Sequence, residues 1–324
     1  MPLSPPSRSG AQVRTGAEAT EEPLPPSERY AMSGQRIGGG GMGEVHLVID
    51  RWLGRAIAMK VLRDGSTARF RREARVQGQL EHPAIVPLYD TGVDAYGRPY
   101  FTMRHVRGAT LGTILKRLAL GDHEARACYT RSKLLRAFAQ VCLAVDYAHG
   151  RGVIHRDLKP ANIMLGSFGE VHVLDWGVAK IQGDDSLDEP VSDVREVDAT
   201  GHGEWIGTAG YMSPEHIAGE AVDPRADVYS LGVVLFEILT LERLHRGLPE
   251  IQAASSLVEV DVDARLAASH AEDVSPMLAA IVERAIRVDP AKRHASAREL
   301  GEAVEDYLDR SRDGVLPHSR TKER

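Results

Sequence analysis

The stretch "VIHRDLKPANIML", Val153 to Leu165, decides how the chain is read. Two apolar runs flank a polar centre, and Pro160 prevents that centre from continuing as a helix. Asp157 and Asn162 therefore sit five apart in a loop, with Lys159 between them. A carboxylate near a substrate hydroxyl can orient it and accept its proton, and an amide oxygen is a neutral donor suited to Mg²⁺. Thirteen residues after Asn162 stands Asp175, in "VLDWGVAK". Alone, that stretch reads as a strand running into a turn. The intervening "MLGSFGEVHVLD" looks like a β-hairpin, which would return Asp175 to the neighbourhood of Asn162.

Working toward the N-terminus, "RIGGGGMGEVHLV" carries Gly38, Gly40 and Gly43 in a G-x-G-x-x-G pattern, with Val45 two residues on. Glycine lets backbone approach a phosphate closely, although the motif alone also suits a plain hairpin. The run after it, "EVHLVID", is β-branched and strand-like, which disfavours a dinucleotide-binding turn and points to a strand–glycine loop–strand cover. Lys60 follows on the apolar strand "AIAMK", on the same face as Ala58. An ammonium there needs a counter-charge, and Glu73 in "FRREARV" is the candidate. Its neighbours Arg71, Arg72 and Arg75 equally allow a solvated face.

The whole chain sets bounds on these readings. Its 324 residues allow one large domain or two lobes, with 43% hydrophobic and 27% charged residues as in globular proteins. A net charge of −6 argues against nucleic acid as a partner. Cys128 and Cys142 specify neither a disulfide framework nor a zinc cluster and fit a reducing cytoplasm. "MPLSPPSRSG" lacks the apolar region of a secretory signal, and "LGVVLFEILTL" is too short to span a membrane. Residues 1–29, rich in Pro, Ser and Glu, are expected to be a disordered tail. Strand-like patterns with one helix follow to about Met103, and helical patterns dominate from Gly108. Leu135, Phe138, Cys142 and Val145 mark a buried helix face, and "ADVYSLGVVLFEILTL" is apolar nearly all round.

Taken together, these motifs resemble the signature of eukaryotic-type serine/threonine protein kinases of bacteria, over roughly Tyr30 to Tyr307. The resemblance implies an α+β, bilobal fold with a nucleotide cleft between the lobes. The small lobe would span about 30–106 and the large lobe about 107–310, leaving 311–324 as a tail. It implies ATP and Mg²⁺ as cofactors, with Mn²⁺ as an alternative metal. ATP would be held by Ile37, Gly38, Gly39, Gly40, Gly41, Met42, Gly43, Glu44, Val45, Ala58 and Lys60, the last paired with Glu73. Met103 would stand beside the adenine, with residues 104–106 as the hinge. Asp157 would be the catalytic carboxylate assisted by Lys60 and Lys159, and Asn162 and Asp175 the metal ligands. In "GTAGYMSPE", Ser213 stands where alanine is usual; Glu215 would pair with Arg293, and Asp227 would brace the catalytic loop. Trp176 occupies a place usually held by phenylalanine.

Lys159 and Thr208 favour serine/threonine over tyrosine specificity. A nucleotide-binding scaffold without catalysis is disfavoured because Lys60, Glu73, Asp157, Asn162 and Asp175 are all present. A small-molecule kinase is disfavoured by the platform-like "GTAGYMSPE". Only thirteen positions separate Lys60 from Glu73, which threatens to shorten the helix between them. The expected partners are protein substrates, including the chain itself, and homodimerisation stays open. The stretch from Asp184 to Glu204 is strongly acidic, and within it Thr200, then Ser192, are the expected phosphate acceptors, with Arg156 the receiving cation.

Overall fold

The computed structural model describes residues 26–40, 43–63, 66–181, 209–245, 256–269 and 274–312. The expected tails, apart from residues 26–29 and 311–312, lie outside them, as do Gly41, Met42, Ser192, Thr200 and Thr208. The chain divides into two compact units, one from residues 1–65 and 89–105 and one from 66–88 and 106–324.

The first unit is built on a five-stranded sheet. Its strands are β1 (Tyr30–Gly40), β2 (Gly43–Asp50), β3 (Arg55–Leu62), β4 (Leu88–Val93) and β5 (Pro99–Met103), in the order β1-β2-β3-β5-β4. Because successive side chains alternate, Ile57, Met59 and Val61 of β3 pack with Val48 and Tyr100 into one apolar cluster. Lys60 is thereby turned to the opposite face. The chain ahead of β1 departs from expectation. Pro26–Arg29 forms a single helical turn, α1. Arg29 bonds Asp50 at 3.1 Å and Asp90 at 3.4 Å, so residues 26–29 belong to the folded unit and not to a disordered tail.

The second unit begins with α2 (Thr67–Gly78), whose N-cap Ser66 accepts a hydrogen bond from the Arg69 amide. The short approach from Lys60 does not truncate it. The helix also groups differently than its position in the sequence suggests. Val76 packs with Leu80 and Ile85 in the large apolar core, and Gln77 Nε2 donates to the Val86 carbonyl at 2.9 Å. These contacts belong to the second unit.

After β6 (Gly108–Thr110) come α3 (Leu111–Ala119), α4 (His123–Cys128) and α5 (Arg131–His149). Leu135, Phe138, Cys142 and Val145 are all buried, as the 3–4 spacing of α5 requires. Short strands follow: β7 (Val153–Ile154), β8 (Ile163–Gly166), β9 (Val171–Val173) and β10 (Lys180–Ile181), paired as β6-β8-β9 and β7-β10. Helices α6 (Pro214–Ile217), α7 (Arg225–Thr240), α8 (Val262–Ala267), α9 (Pro276–Ala285) and α10 (Ala297–Arg312) complete the described chain. The centre of the core is α7. A Cβ on its Gly232 would sit 2.6 Å from the Ala285 Cβ, so only glycine allows α7 and the end of α9 to approach this closely. Glu237, the one acid in the apolar run, is bonded by the Tyr211 hydroxyl, and burial raises the pKa of its carboxyl.

Burial also leaves a pH signature. His245 is buried against the Tyr229 hydroxyl at 3.0 Å, and desolvation pushes its pKa down to about 4 from an ordinary 6.5. Between those values the unfolded chain binds a proton that the folded one refuses, so stability falls as pH drops through that window. The loss at this site is of the order of 3 kcal/mol. Urea denaturation at pH 7 and pH 5 should show that fall, and His245→Gln should flatten it.

Candidate active site

Strands β1 and β2 pair as the antiparallel hairpin expected around the glycines. Gly38 faces Val45, Gly39 faces Glu44 and Gly40 faces Gly43, bracketing residues 41 and 42. Gly43 has a steric reason to be glycine: a Cβ there would lie 2.7 Å from the Val61 carbonyl oxygen. Ile37 is half-buried, and Glu44 is ion-paired with Arg36 at 3.2 Å and Arg63 at 3.6 Å. Directly opposed residues of antiparallel strands share a face. Val45 opposes Lys60, Lys60 opposes Phe101, and Ala58 opposes Met103. The sheet therefore gathers Val45, Ala58, Lys60 and Met103 on one face, with the Lys60 ammonium 5.8 Å from the centre of the Phe101 ring. Glu73 belongs to the other unit. It is only 2% exposed while Arg71 and Arg75 lie in solvent, so the solvated-face alternative does not hold.

The second unit assembles the loop between β7 and β8. The Asp157 carboxylate takes both oxygens' worth of bonding from Lys159, whose Nζ lies 3.1 and 2.9 Å away. Asn162 Nδ2 donates to the Asp157 carbonyl at 2.8 Å and to its Oδ2 at 3.0 Å. That orientation turns the other end of the amide, its oxygen, away from the carboxylate. The β8–β9 hairpin brings the next residues back, as the sequence suggested: the Leu174 amide donates to the Asn162 carbonyl at 2.8 Å, one residue before Asp175. Asp175 has φ +61°, a left-handed conformation that aspartate tolerates better than most side chains, and it is exposed.

His155, which the sequence reading left in the background, links the two acids. Its Nδ1 accepts from the Asp157 amide at 3.3 Å and its Nε2 faces the Leu174 carbonyl at 3.1 Å, so Nε2 carries the proton. Asp227, in the first turn of α7, accepts from the amides of His155 at 2.8 Å and Arg156 at 2.9 Å, which is the bracing expected. Arg156 has φ +66° and donates from Nε to the Val178 carbonyl. Glu215 and Arg293 form the expected pair, through two bonds of 2.8 and 2.7 Å.

A family model for the protein kinase domain matches residues 32–304 of this chain. The chain belongs to the protein kinase family. Among similar proteins, serine/threonine-protein kinase PknD of Protochlamydia amoebophila is 39% identical over 306 residues, covering 89% of this chain and 31% of the relative. A probable serine/threonine-protein kinase of Streptomyces coelicolor, SCO3848, is 38% identical over 298 residues, covering 89% of the chain and 41% of the relative. PknD of Chlamydia pneumoniae is 36% identical over 297 residues, with 87% and 31% covered. The kinase chain thus spans about a third of the length of these relatives.

The donor set of the kinase suits Mg²⁺. Among the described residues no group of three or more His, Cys, Asp or Glu could hold a metal ion. One carboxylate and one amide oxygen are what Mg²⁺ takes from a protein when phosphates and water supply the rest. Asp175→Asn should weaken Mg²⁺-dependent ATP binding by at least ~10–100-fold, the cost typical even of outer partners of a metal. Titration calorimetry with and without Mg²⁺ checks this; metal-free nucleotide should bind as before. No helix of the described residues is long and apolar enough to cross a membrane.

Trp176 is 1% exposed and packs against His155, ring centres 4.6 Å apart at 51°. Its indole N–H is buried with no hydrogen-bond partner among the described residues. Trp176→Phe removes that orphaned donor, a relief of roughly 1–3 kcal/mol, and sacrifices packing of similar size. Turnover should stay within about twofold of wild type, since phenylalanine keeps an aromatic ring against His155. A steady-state assay with a thermal melt checks both; a variant as inactive as Asp175→Asn would give the indole N–H an ordering role.

Proposed function

We propose that the kinase transfers the γ-phosphate of ATP to serine and threonine hydroxyls of protein substrates. The observation that carries this reading is the triple arrangement of Asp157, Lys159 and Asn162 around one carboxylate. Phosphoryl transfer asks mainly for positioning and charge neutralisation. Asp157 orients the substrate hydroxyl and accepts its proton. Lys159, already on that carboxylate, neutralises charge that develops on the transferring group. Asn162 and Asp175 hold Mg²⁺ or Mn²⁺, which when bound shields the phosphate oxygens. Lys60, with Glu73 as counter-charge, takes the α- and β-phosphates, and the backbone of Gly38, Gly40 and Gly43 covers them. Met103 lies beside the adenine. Names of the relatives and the Lys159 position support serine/threonine specificity.

Incubating the pure protein with γ-labelled ATP, Mg²⁺ and a generic basic protein tests the reading. Label should appear on serine and threonine, at turnover reaching ~1–100 s⁻¹ with a good substrate. Nucleotide binding without transfer would make the chain a scaffold, and label on tyrosine would overturn the specificity. The chain's own phosphorylation, expected at Thr200, is read by mass spectrometry of the same sample.

A further inference from the structure

Lys60 is flanked on both sides within its own sheet, because β3 lies between β2 and β5. Its cross-strand neighbours on the same face are Val45 of β2 and Phe101 of β5. The two flanks differ in chemistry. Toward β2 the surroundings are aliphatic. Val45 offers neither charge nor a π face, and the backbone runs so near the lysine stem that a Cβ on Gly43 would lie 3.6 Å from Lys60 Cγ. Toward β5 stands an aromatic ring that is 0% exposed. The Lys60 ammonium lies over that ring, 5.8 Å from its centre. The face of an aromatic ring carries partial negative charge, and it attracts a cation held within about 6 Å of its centre. Phe101 is itself well fixed. Side chains alternate along β5, so Tyr100 and Thr102 turn to the other face, where Tyr100 belongs to the apolar cluster with Met59 and Val61.

Such a ring supplies what a counter-ion on another element does not. Glu73, the counter-charge proposed above, belongs to the other unit, whereas Phe101 shares both sheet and unit with the lysine. The attraction is therefore present whenever β3 and β5 are paired. A lysine head on its flexible stem loses rotamer freedom when it is held, and a partner built into the same sheet supplies a standing offset to that loss. The ring also leaves the chemistry free. An ammonium has three N–H donors, and a cation resting on a π face keeps donors on its far side for phosphate oxygens. We propose that Phe101 is a positioning residue for phosphoryl transfer: its ring face holds the Lys60 ammonium in the pose that meets the ATP phosphates. It acts through the lysine. The inference rests on the reading of Lys60 as the phosphate-binding lysine, and it adds a residue that neither motif spacing nor family resemblance singled out above.

The test uses the full chain. Phe101→Leu removes the π face and keeps an apolar side chain, but it also alters packing. The deciding series therefore replaces Phe101 with phenylalanines bearing one, two or three ring fluorines. Fluorine drains negative charge from the ring face with little change of shape, so a ring that only fills space would not respond. The kcat/KM for Mg-ATP, and the calorimetric affinity for Mg-ATP, should fall in step with the number of fluorines. The three-fluorine ring should lose about 3- to 30-fold, the span of a partly to fully desolvated cation–π contact. In a Lys60→Met background the same series should leave Mg-ATP affinity within about twofold, because the cation that senses the ring is gone. Should Phe101→Leu fail to fold, the fluorinated rings carry the comparison. A three-fluorine ring that loses less than about threefold, or an equal fall in the Lys60→Met background, overturns the proposal. If Lys60→Met itself kept wild-type kcat/KM, Lys60 would not be the phosphate-binding lysine and this inference would fall with that reading. An impaired Lys60→Met beside a flat fluorine series would sink the inference alone.

Discussion

Asp157→Asn is expected to lower kcat by about 10²–10⁴-fold, the range over which a positioned general base contributes. The substitution is nearly isosteric, so its effect is chemical. It takes away the group proposed to accept the hydroxyl proton, and it removes the negative charge on which Lys159 Nζ is held at 2.9 Å. It also disturbs the amide pair, because Asn162 Nδ2 now donates to Oδ2 at 3.0 Å, and an amide nitrogen in that place would confront two donors. The new side chain must then turn its single oxygen toward one partner and give up the other. ATP affinity should change by no more than about threefold, since the role proposed for Asp157 addresses the substrate hydroxyl and not the nucleotide. Single-turnover kinetics and calorimetry on the same preparation separate the two effects. A variant that no longer binds ATP would mean that Asp157 belongs to the nucleotide site, and the roles of Asp157 and Asp175 would have to be exchanged.

The parts of this site that were legible in the sequence are those fixed by short spacing. Pro160 forces a loop between Asp157 and Asn162, and the apolar runs on either side fix the β7 and β8 pairings that anchor it. The return of Asp175 was readable for the same reason: a hairpin of four-residue and three-residue strands leaves it little choice. Lys60 was legible through alternation, since the other face of β3 had to be apolar. Features fixed by distant packing were not. Arg29 lies in a Pro- and Glu-rich stretch that reads as a tail, and its partners are 21 and 61 residues away. The affiliation of α2 depends on Val76 meeting a core whose other members come mostly from beyond residue 110, which no local pattern records. His149 at the end of α5 looks like an ordinary helix-terminal base. Only the fold reveals that Asp227, 78 positions later, is its partner.

Arg293→Met is expected to destabilise the protein by about 3–5 kcal/mol, because it strands a charge and does more than remove an attraction. Arg293 is 0% exposed and every face of its guanidinium is used. Nη1 and Nη2 grip the two oxygens of Glu215 at 2.8 and 2.7 Å, and the same group donates to the carbonyls of Arg287, Arg225 and Val288. Methionine fills the volume but takes the arginine's donors away from three carbonyls and leaves the Glu215 carboxylate without its cation. The direction of the Glu215 pKa agrees: burial would raise it, yet the bonds and charge of Arg293 bring it below the ordinary carboxylate value. Stability from that carboxyl is therefore present above its unfolded pKa and is lost as pH falls through the folded one. Glu215→Gln should cost less than Arg293→Met, since the arginine keeps its three carbonyls. The double variant Arg293→Met with Glu215→Leu should recover part of the loss, because it removes the stranded charge and leaves only the carbonyls to be resolvated. Urea denaturation of the three variants measures this order. If Arg293→Met cost no more than about 1 kcal/mol, the range of a solvent-exposed pair, water would have to reach Glu215 in solution, and the link from α6 to the first turn of α7, where Asp227 carries the catalytic loop, would be looser than these bonds imply.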